Sequence, residues 1–130
     1  MATLRHIAIR TADPEATAAW YRAAFGLTEV GRARNGVYLS DGDINIAILR
    51  LRTEHSGASA RPGLDHFGFV VDDLEVTARR LAAMGAERLP NAPLPGNEFE
   101  VKYRGPDGQV FDISAHGWAG ARCNRGALSE

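Results

Sequence analysis

The sequence contains the same stretch twice. Sliding the chain by sixty positions lays Leu4-Arg5-His6-Ile7-Ala8-Ile9-Arg10-Thr11-Ala12-Asp13-Pro14-Glu15 on Leu64-Asp65-His66-Phe67-Gly68-Phe69-Val70-Val71-Asp72-Asp73-Leu74-Glu75. Leu4 meets Leu64, His6 meets His66, Asp13 meets Asp73, Glu15 meets Glu75, and Thr17-Ala18 meets Thr77-Ala78. Such self-similarity marks one supersecondary unit built twice. It also puts a histidine at the same place in both copies, a relation that symmetry can bring to one point in space.

Each copy reads as β-α-β-β-β. Residues 4–10 alternate and are rich in Ile, which predicts a strand. Asp13 is a helix cap and Pro14 suits the first helical position. Thr17, Trp20, Tyr21, Ala24 and Phe25 then recur as one helix face, so Trp20 and Tyr21 read as core. Gly26 ends the helix. Leu27–Val30 forms a short strand. Asn35-Gly36 turns the chain into a strand at Val37–Ser40, and Asp41-Gly42 turns it into Ile44-Asn45-Ile46-Ala47-Ile48-Leu49. In the second copy Leu64–Val71 is a strand. Asp72 or Asp73 caps a helix with Leu74, Ala78, Leu81 and Met84 on its apolar face, and Gly85 ends it. Glu87–Leu89 is a weak strand, Pro90–Asn97 an irregular proline-bearing loop, and Phe99–Tyr103 a strand. Gly105-Pro106-Asp107-Gly108 is a turn leading to the last strand, Val110–Ser114. The expected organisation is a single α+β domain over residues 1–130, with module one at about 4–52, a polar linker at 53–63, module two at about 64–114 and a loosely ordered tail at 115–130.

Composition narrows the partners. The chain has 130 residues, enough for one domain with a real core. Its 15 basic and 16 acidic residues give a net charge of −1, with the basic residues scattered along the chain and not gathered into a stripe. That leaves no electrostatic footprint for nucleic acid or an anionic membrane. No apolar run approaches the ~20 residues of a membrane span. One cysteine, Cys123, rules out a disulfide framework and fits a reducing cytoplasm. It reads as a bystander, and His55 in the linker and His116 in the tail read as surface residues.

The chemistry lies on one face of the strands. With period two, His6, Ala8 and Arg10 share a face opposite Ile7 and Ile9. His66, Gly68 and Val70 share a face opposite Phe67 and Phe69. In the last strand Val110, Asp112 and Ser114 oppose Phe111 and Ile113. A mid-strand aspartate is costly unless paired or ligating. If the small-plus-histidine faces meet, His6, His66 and Asp112 converge. Two imidazoles and a carboxylate suit a divalent metal with open positions, Fe(II) above all, although Zn, Mn, Ni and Co accept the same donors. Glu100 and Lys102 alternate in a strand and could line the cavity, and Arg10 could meet an anionic substrate group. Tyr38, Phe99, Tyr103 and Trp118 could supply an aromatic wall, or they could simply pack the core.

These residues carry a resemblance. The opening LRHIAIRTADPEATAAWY, its repeat LDHFGFVVDDLE and the ending GPDGQVFD resemble the vicinal oxygen chelate superfamily, which includes glyoxalase I, bleomycin-resistance protein, extradiol dioxygenases and methylmalonyl-CoA epimerase. The match spans about residues 4–114. The resemblance implies paired βαβββ modules forming a U-shaped, open sheet around a metal or ligand cavity. It places His6, His66 and Asp112 on metal-ligand positions. It also implies a homodimer and a small-molecule substrate.

Two departures bear on the reaction. The last ligand in the family is commonly Glu, and here it is Asp112. The corresponding place in module one, often Glu or Gln in isomerase-type members, is Ile46 when the two turns are aligned, or Asn45 or Ala47 if the register slips by one. With Ile46 there, carboxylate-assisted proton abstraction loses a group, whereas a three-ligand, dioxygenase-like set loses nothing. The expectation is therefore a cytoplasmic divalent-metal enzyme of the glyoxalase/dioxygenase type, lyase or oxidoreductase, acting on adjacent oxygens. The alternative is a binding protein that sequesters an aromatic antibiotic.

Overall fold

A computed structural model of the chain describes residues 2–51, 61–90 and 100–122. It is mixed α and β, with eight strands and two helices in the order expected from the repeat. These are β1 (Thr3–Thr11), α1 (Pro14–Phe25), β2 (Thr28–Ala33), β3 (Gly36–Ser40), β4 (Asn45–Arg50), β5 (Gly63–Val70), α2 (Leu74–Ala83), β6 (Glu87–Arg88), β7 (Glu100–Arg104) and β8 (Val110–Ser114). Most of the linker, Phe99 and much of the proline-bearing loop, His55 and Cys123 lie outside the described residues. Among the described residues no helix is long and apolar enough to cross a membrane.

The chain folds as two compact units, one holding His6–Asp65 with Trp118–Ala121 and the other holding the start of β1 with His66–Gly117. In the first unit β1 pairs parallel with β4, and β4, β3 and β2 continue antiparallel. In the second, β5 pairs parallel with β8, and β8, β7 and β6 continue antiparallel. Each parallel pair is bridged by a crossover containing a helix, the connection a parallel pair requires.

Both helices start as the sequence predicts. Asp13 accepts from the Ala16 N–H and Asp73 from the Val76 N–H, each oxygen satisfying an otherwise orphaned first-turn donor. Gly26 closes α1 with φ +70°, its N–H donating to the Arg22 carbonyl. Each helix covers one sheet face. In the first unit Ala18, Val37, Leu39 and Ile48 form the core, with Ile9, Tyr21, Leu27 and Ile46 against it. In the second, Val71, Val101, Tyr103 and Ile113 are flanked by Phe69, Leu74, Leu81, Ala86 and Phe111.

The helix faces depart from expectation at their ends. Trp20 is 62% exposed, Phe25 66% and Met84 76%, so Trp20 is not core. The buried stripe of α1 is Pro14 and Ala18, with Tyr21 packing beside them. Small Ala18 brings the helix close to the sheet, and that axis turns Trp20 outward. Met84 is the C-terminal cap of α2, beyond the stripe of Leu74 and Leu81.

The pairing register also corrects the place of Ile46. Laterally paired residues project to the same face of a sheet. His6 pairs with Asn45, Ile7 with Ile46 and Ala8 with Ala47. Ile46 therefore belongs with Ile7 and the helix-packed layer, while Asn45 and Ala47 share the face of His6. In the other unit Gly68 pairs with Asp112. Since Gly68 repeats Ala8, the counterpart of Asp112 is Ala47. Aligning the two turns misleads by one residue, because the second passes through a short 3-10 turn, Pro106–Gly108, with Asp107 at φ +59°, whereas the first is a simple bend after Ser40.

Candidate functional site

In the second unit, β8 carries Asp112 at a position with no solvent exposure. A naked carboxylate there would be prohibitive, and the neighbours answer it. His66 Nε2 lies 3.2 Å from Asp112 Oδ2, and Lys102 Nζ donates to Asp112 Oδ1 at 2.6 Å. Strand pairing makes this possible: Lys102 lies across from Asp112 in β7, and His66 is two residues before Gly68, its partner in β5. Burial alone would raise the Asp112 carboxyl. The hydrogen bond from His66 and the charge of Lys102 outweigh it and hold the group below its ordinary value. Glu100 shares the face of Lys102, two residues along β7, and is half-buried. Ser114 pairs with Glu100 and turns the chain out of β8, its Oγ accepting from the His116 and Gly117 N–H groups. His116 is exposed, as expected.

In the first unit His6 is equally withdrawn, with 4% exposure. Its Nδ1 lies 2.8 Å from Asn45 Oδ1, and Asn45 Nδ2 donates to the Ala119 carbonyl at 2.8 Å. The second bond orients the amide. With the Asn45 NH2 spent on a carbonyl, its oxygen faces His6 and can only accept, so Nδ1 carries the imidazole proton. His6 Nε2 is thereby the lone-pair nitrogen, the form a metal ligand needs. Trp118 stacks on the His6 ring at 4.6 Å and 9°. Ala47 and Tyr38 pair with each other on the same sheet face.

Arg10 occupies that face too, but its cation is engaged. It is 3% exposed, its Nη1 donates to the Arg50 carbonyl at 3.0 Å, and its Nε lies 3.7 Å from Asp65 Oδ2. Tyr103, offered as aromatic wall, is core: 3% exposed and stacked on Phe111.

Two further residues, Asn45 and Trp118, shape the surroundings of His6. Asn45 is 1% exposed at the start of the most apolar strand. The same signal that singled out Asp112, a polar group in a greasy strand, was available for it. Trp118 and its neighbours were expected in a loose tail, yet Trp118–Ala121 belongs to the first unit. Small residues in that tail gave no periodicity to read.

The chain thus carries two buried histidines and a buried aspartate, donor types that suit a divalent metal. The donors fit that group. His66 and Asp112 already face each other, and His6 has its proton on the nitrogen turned toward Asn45.

Comparison with known proteins places these features in a family. The structure is similar to methylmalonyl-CoA epimerase from Mycobacterium tuberculosis, with TM-score 0.68, 22% identity and 85% of each chain covered. A variant of the Streptomyces coelicolor epimerase, solved with 2-nitronate-propionyl-CoA, gives TM-score 0.68 at 21% identity, over 85% of this chain and 94% of that one. The 2,3-dioxygenase LapB from Pseudomonas sp. KL28 gives TM-score 0.66 at 26% identity, over 91% of this chain and 42% of the dioxygenase. No curated protein matches the sequence. The family model for glyoxalase, bleomycin resistance protein and dioxygenase matches residues 3–113, from the start of β1 nearly to the end of β8. Matched through both β-α-β-β-β modules, the chain belongs to the glyoxalase/bleomycin resistance protein/dioxygenase superfamily.

Proposed function

We propose that the chain is a small cytoplasmic enzyme that holds one divalent metal ion through His6, His66 and Asp112 and acts on a small substrate through adjacent oxygens. The observation that supports it most is the buried His66–Asp112 pair, with His6 at the repeat-equivalent position and its Nε2 left as an acceptor. When bound, the ion would act as Lewis acid and template for the two oxygens. Fe, Zn, Mn, Ni and Co all accept these donors.

The chain's own residues do the rest. Asn45 keeps the proton on His6 Nδ1. Lys102 balances the Asp112 charge and, with 29% of its side chain exposed, remains within reach of an anionic substrate oxygen. Ala47 stands where a fourth, carboxylate ligand would be, so β4 supplies no base. Proton transfer would fall to Glu100, on the face of Lys102. This favours chemistry on three protein ligands over carboxylate-assisted isomerisation.

The decisive experiment is metal analysis of protein purified without added metal, followed by assays of a catechol with Fe(II) and oxygen, and of the hemithioacetal of methylglyoxal and glutathione with Zn(II), Ni(II) or Co(II). Metal content near one per chain, lost in His6→Ala, His66→Ala and Asp112→Ala, supports the proposal. Unchanged binding in those variants overturns it.

One observation favours a second reading, sequestration of an aromatic antibiotic without metal. Lys102 already supplies a cation to Asp112. A metal-free protein that binds such a drug tightly would establish it. With either reading we infer a homodimer, since β2 and β6 end their units' sheets and leave edges to cover. Sedimentation as a monomer at micromolar concentration would overturn that inference.

A further inference from the structure

Trp118–Ala121 makes three separate attachments to the first unit. The Trp118 ring lies parallel to His6 at 4.6 Å. The Ala119 carbonyl accepts from Asn45 Nδ2 at 2.8 Å, and the Gly120 carbonyl accepts from Ser40 Oγ at 2.7 Å. Ser40 and Asn45 pair across β3 and β4, so consecutive carbonyls of the segment dock on side chains opposite one another. Position 120 admits only glycine comfortably. Its φ is +76°, and a Cβ there would come within 2.8 Å of the Ser40 Cβ and of a Val30 methyl.

We infer that Trp118–Ala121 is a strap that positions His6, its Ala119 carbonyl setting the imidazole tautomer through Asn45, its Gly120 carbonyl anchoring the segment on Ser40, and its tryptophan setting the plane of the ring. This rests on the proposed role of His6 as a metal ligand. The chemistry is direct. If the Ala119 carbonyl leaves, the Asn45 amide is free to rotate and present its NH2 to His6. An NH2 facing Nδ1 demands an acceptor there, which moves the proton to Nε2 and blocks the nitrogen meant for the metal. If Trp118 leaves, one face of the imidazole loses its wall and the ring can swing about its side-chain torsions. Asn45, Trp118 and Gly120 are therefore positioning residues. They orient a ligand and touch neither substrate nor ion.

The test has two readouts. The first is the 15N spectrum of the metal-free protein under mildly alkaline conditions, which reports the His6 tautomer. The second is the affinity for Co(II) alone by calorimetry. The native protein should show the proton on Nδ1. Gly120→Ala, which strains the strap without touching His6, and Asn45→Ala should each give a mixture of tautomers and weaken Co(II) binding on the order of 10–100-fold, the usual cost of losing an outer-shell partner. Trp118→Ala should weaken binding, and Trp118→Phe should restore most of it. If Gly120→Ala does not fold, Ser40→Ala loosens the strap at the neighbouring Gly120 carbonyl without adding an atom. A native tautomer and native Co(II) affinity in these variants would overturn the strap. Failure of the metal reading looks different: His6→Ala would then bind Co(II) as well as the native chain, whatever the tautomer spectrum shows.

Discussion

His66 Nε2 and Asp112 Oδ2 stand 3.2 Å apart inside one unit, with Lys102 on the other oxygen of the same carboxylate. One buried anion thus faces an imidazole and an ammonium group from two neighbouring strands. Such an arrangement tolerates the exchange of a proton for a metal ion. His66 and Asp112 are two of the residues that would hold such an ion.

That exchange predicts proton release on metal binding. Donor nitrogens must be unprotonated to ligate, so Co(II) or Zn(II) affinity should fall as pH is lowered. Calorimetry in buffers of different ionisation enthalpy should show protons leaving. Binding with no proton release would place the ion elsewhere.

The same geometry predicts an acid-sensitive stability. The folded state holds the Asp112 carboxyl below its ordinary value. A depressed carboxylate stabilises the fold above the unfolded value of about 4, and that stability fades as pH falls through the lower folded value. The melting temperature of the metal-free native chain should therefore exceed that of Asp112→Asn by most at neutral pH. The gap should shrink below about pH 4. A gap that is constant with pH would mean the aspartate contributes through shape alone.

Lys102 separates the two functional readings. Lys102→Met should cost the metal-free protein about 1.5–3 kcal/mol, the scale of a hydrogen bond to a charged group. Removing a positive charge from a ligand carboxylate should also tighten Co(II) binding by at least about tenfold, or 1.4 kcal/mol. A loss of stability without any gain in metal affinity would favour the metal-free, drug-binding reading.

Much of this was legible before the structure, because a duplicated sequence constrains twice. The sixty-residue offset singled out His6 and His66, and the cost of a mid-strand carboxylate singled out Asp112; all three are buried. Asp13, Asp73 and Gly26 marked the helix boundaries through local backbone chemistry, which a sequence displays directly. What was not legible depends on distances between elements. Trp20 belongs to the same apolar pattern as Tyr21, and only the close seat of Ala18 on the sheet decides which of them faces the core. The register of β4 is set by pairing with β1, not by its turn, so one residue lost in the bend moved the counterpart of Asp112 from Ile46 to Ala47. The strap around Gly120 carries no periodic signal at all.

The exposure of Trp20 and the burial of Ala18 predict opposite mutational costs. Trp20→Gln, at an exposed position, should change stability by no more than about 0.5 kcal/mol. Ala18→Leu, at a site 2% exposed, should cost about 1–3 kcal/mol by overpacking the helix–sheet seam. Chemical denaturation of both variants checks the contrast, and a large loss at Trp20 would reinstate it as core.

The sharpest consequence concerns adjacent residues of β4. Ala47 pairs with Ala8 as Asp112 pairs with Gly68, so Ala47→Glu places a carboxylate on the His6 face. Ile46→Glu instead drives it into the layer where Ile46 packs with Leu39 and Ile48. An unpaired polar group there costs at least about 1–3 kcal/mol. We expect Ile46→Glu to be destabilised and to gain nothing in function. Ala47→Glu should bind divalent metal more tightly than the native chain. A carboxylate base contributes on the order of 10²–10⁴-fold to proton transfer. With Zn(II), Ni(II) or Co(II), Ala47→Glu should therefore gain turnover of the hemithioacetal of methylglyoxal and glutathione, from a native level that is weak or absent. Strong turnover by the native chain would show that another group, with Glu100 the first to mutate, already acts as base. A gain in Ile46→Glu and not in Ala47→Glu would overturn the register on which this contrast stands.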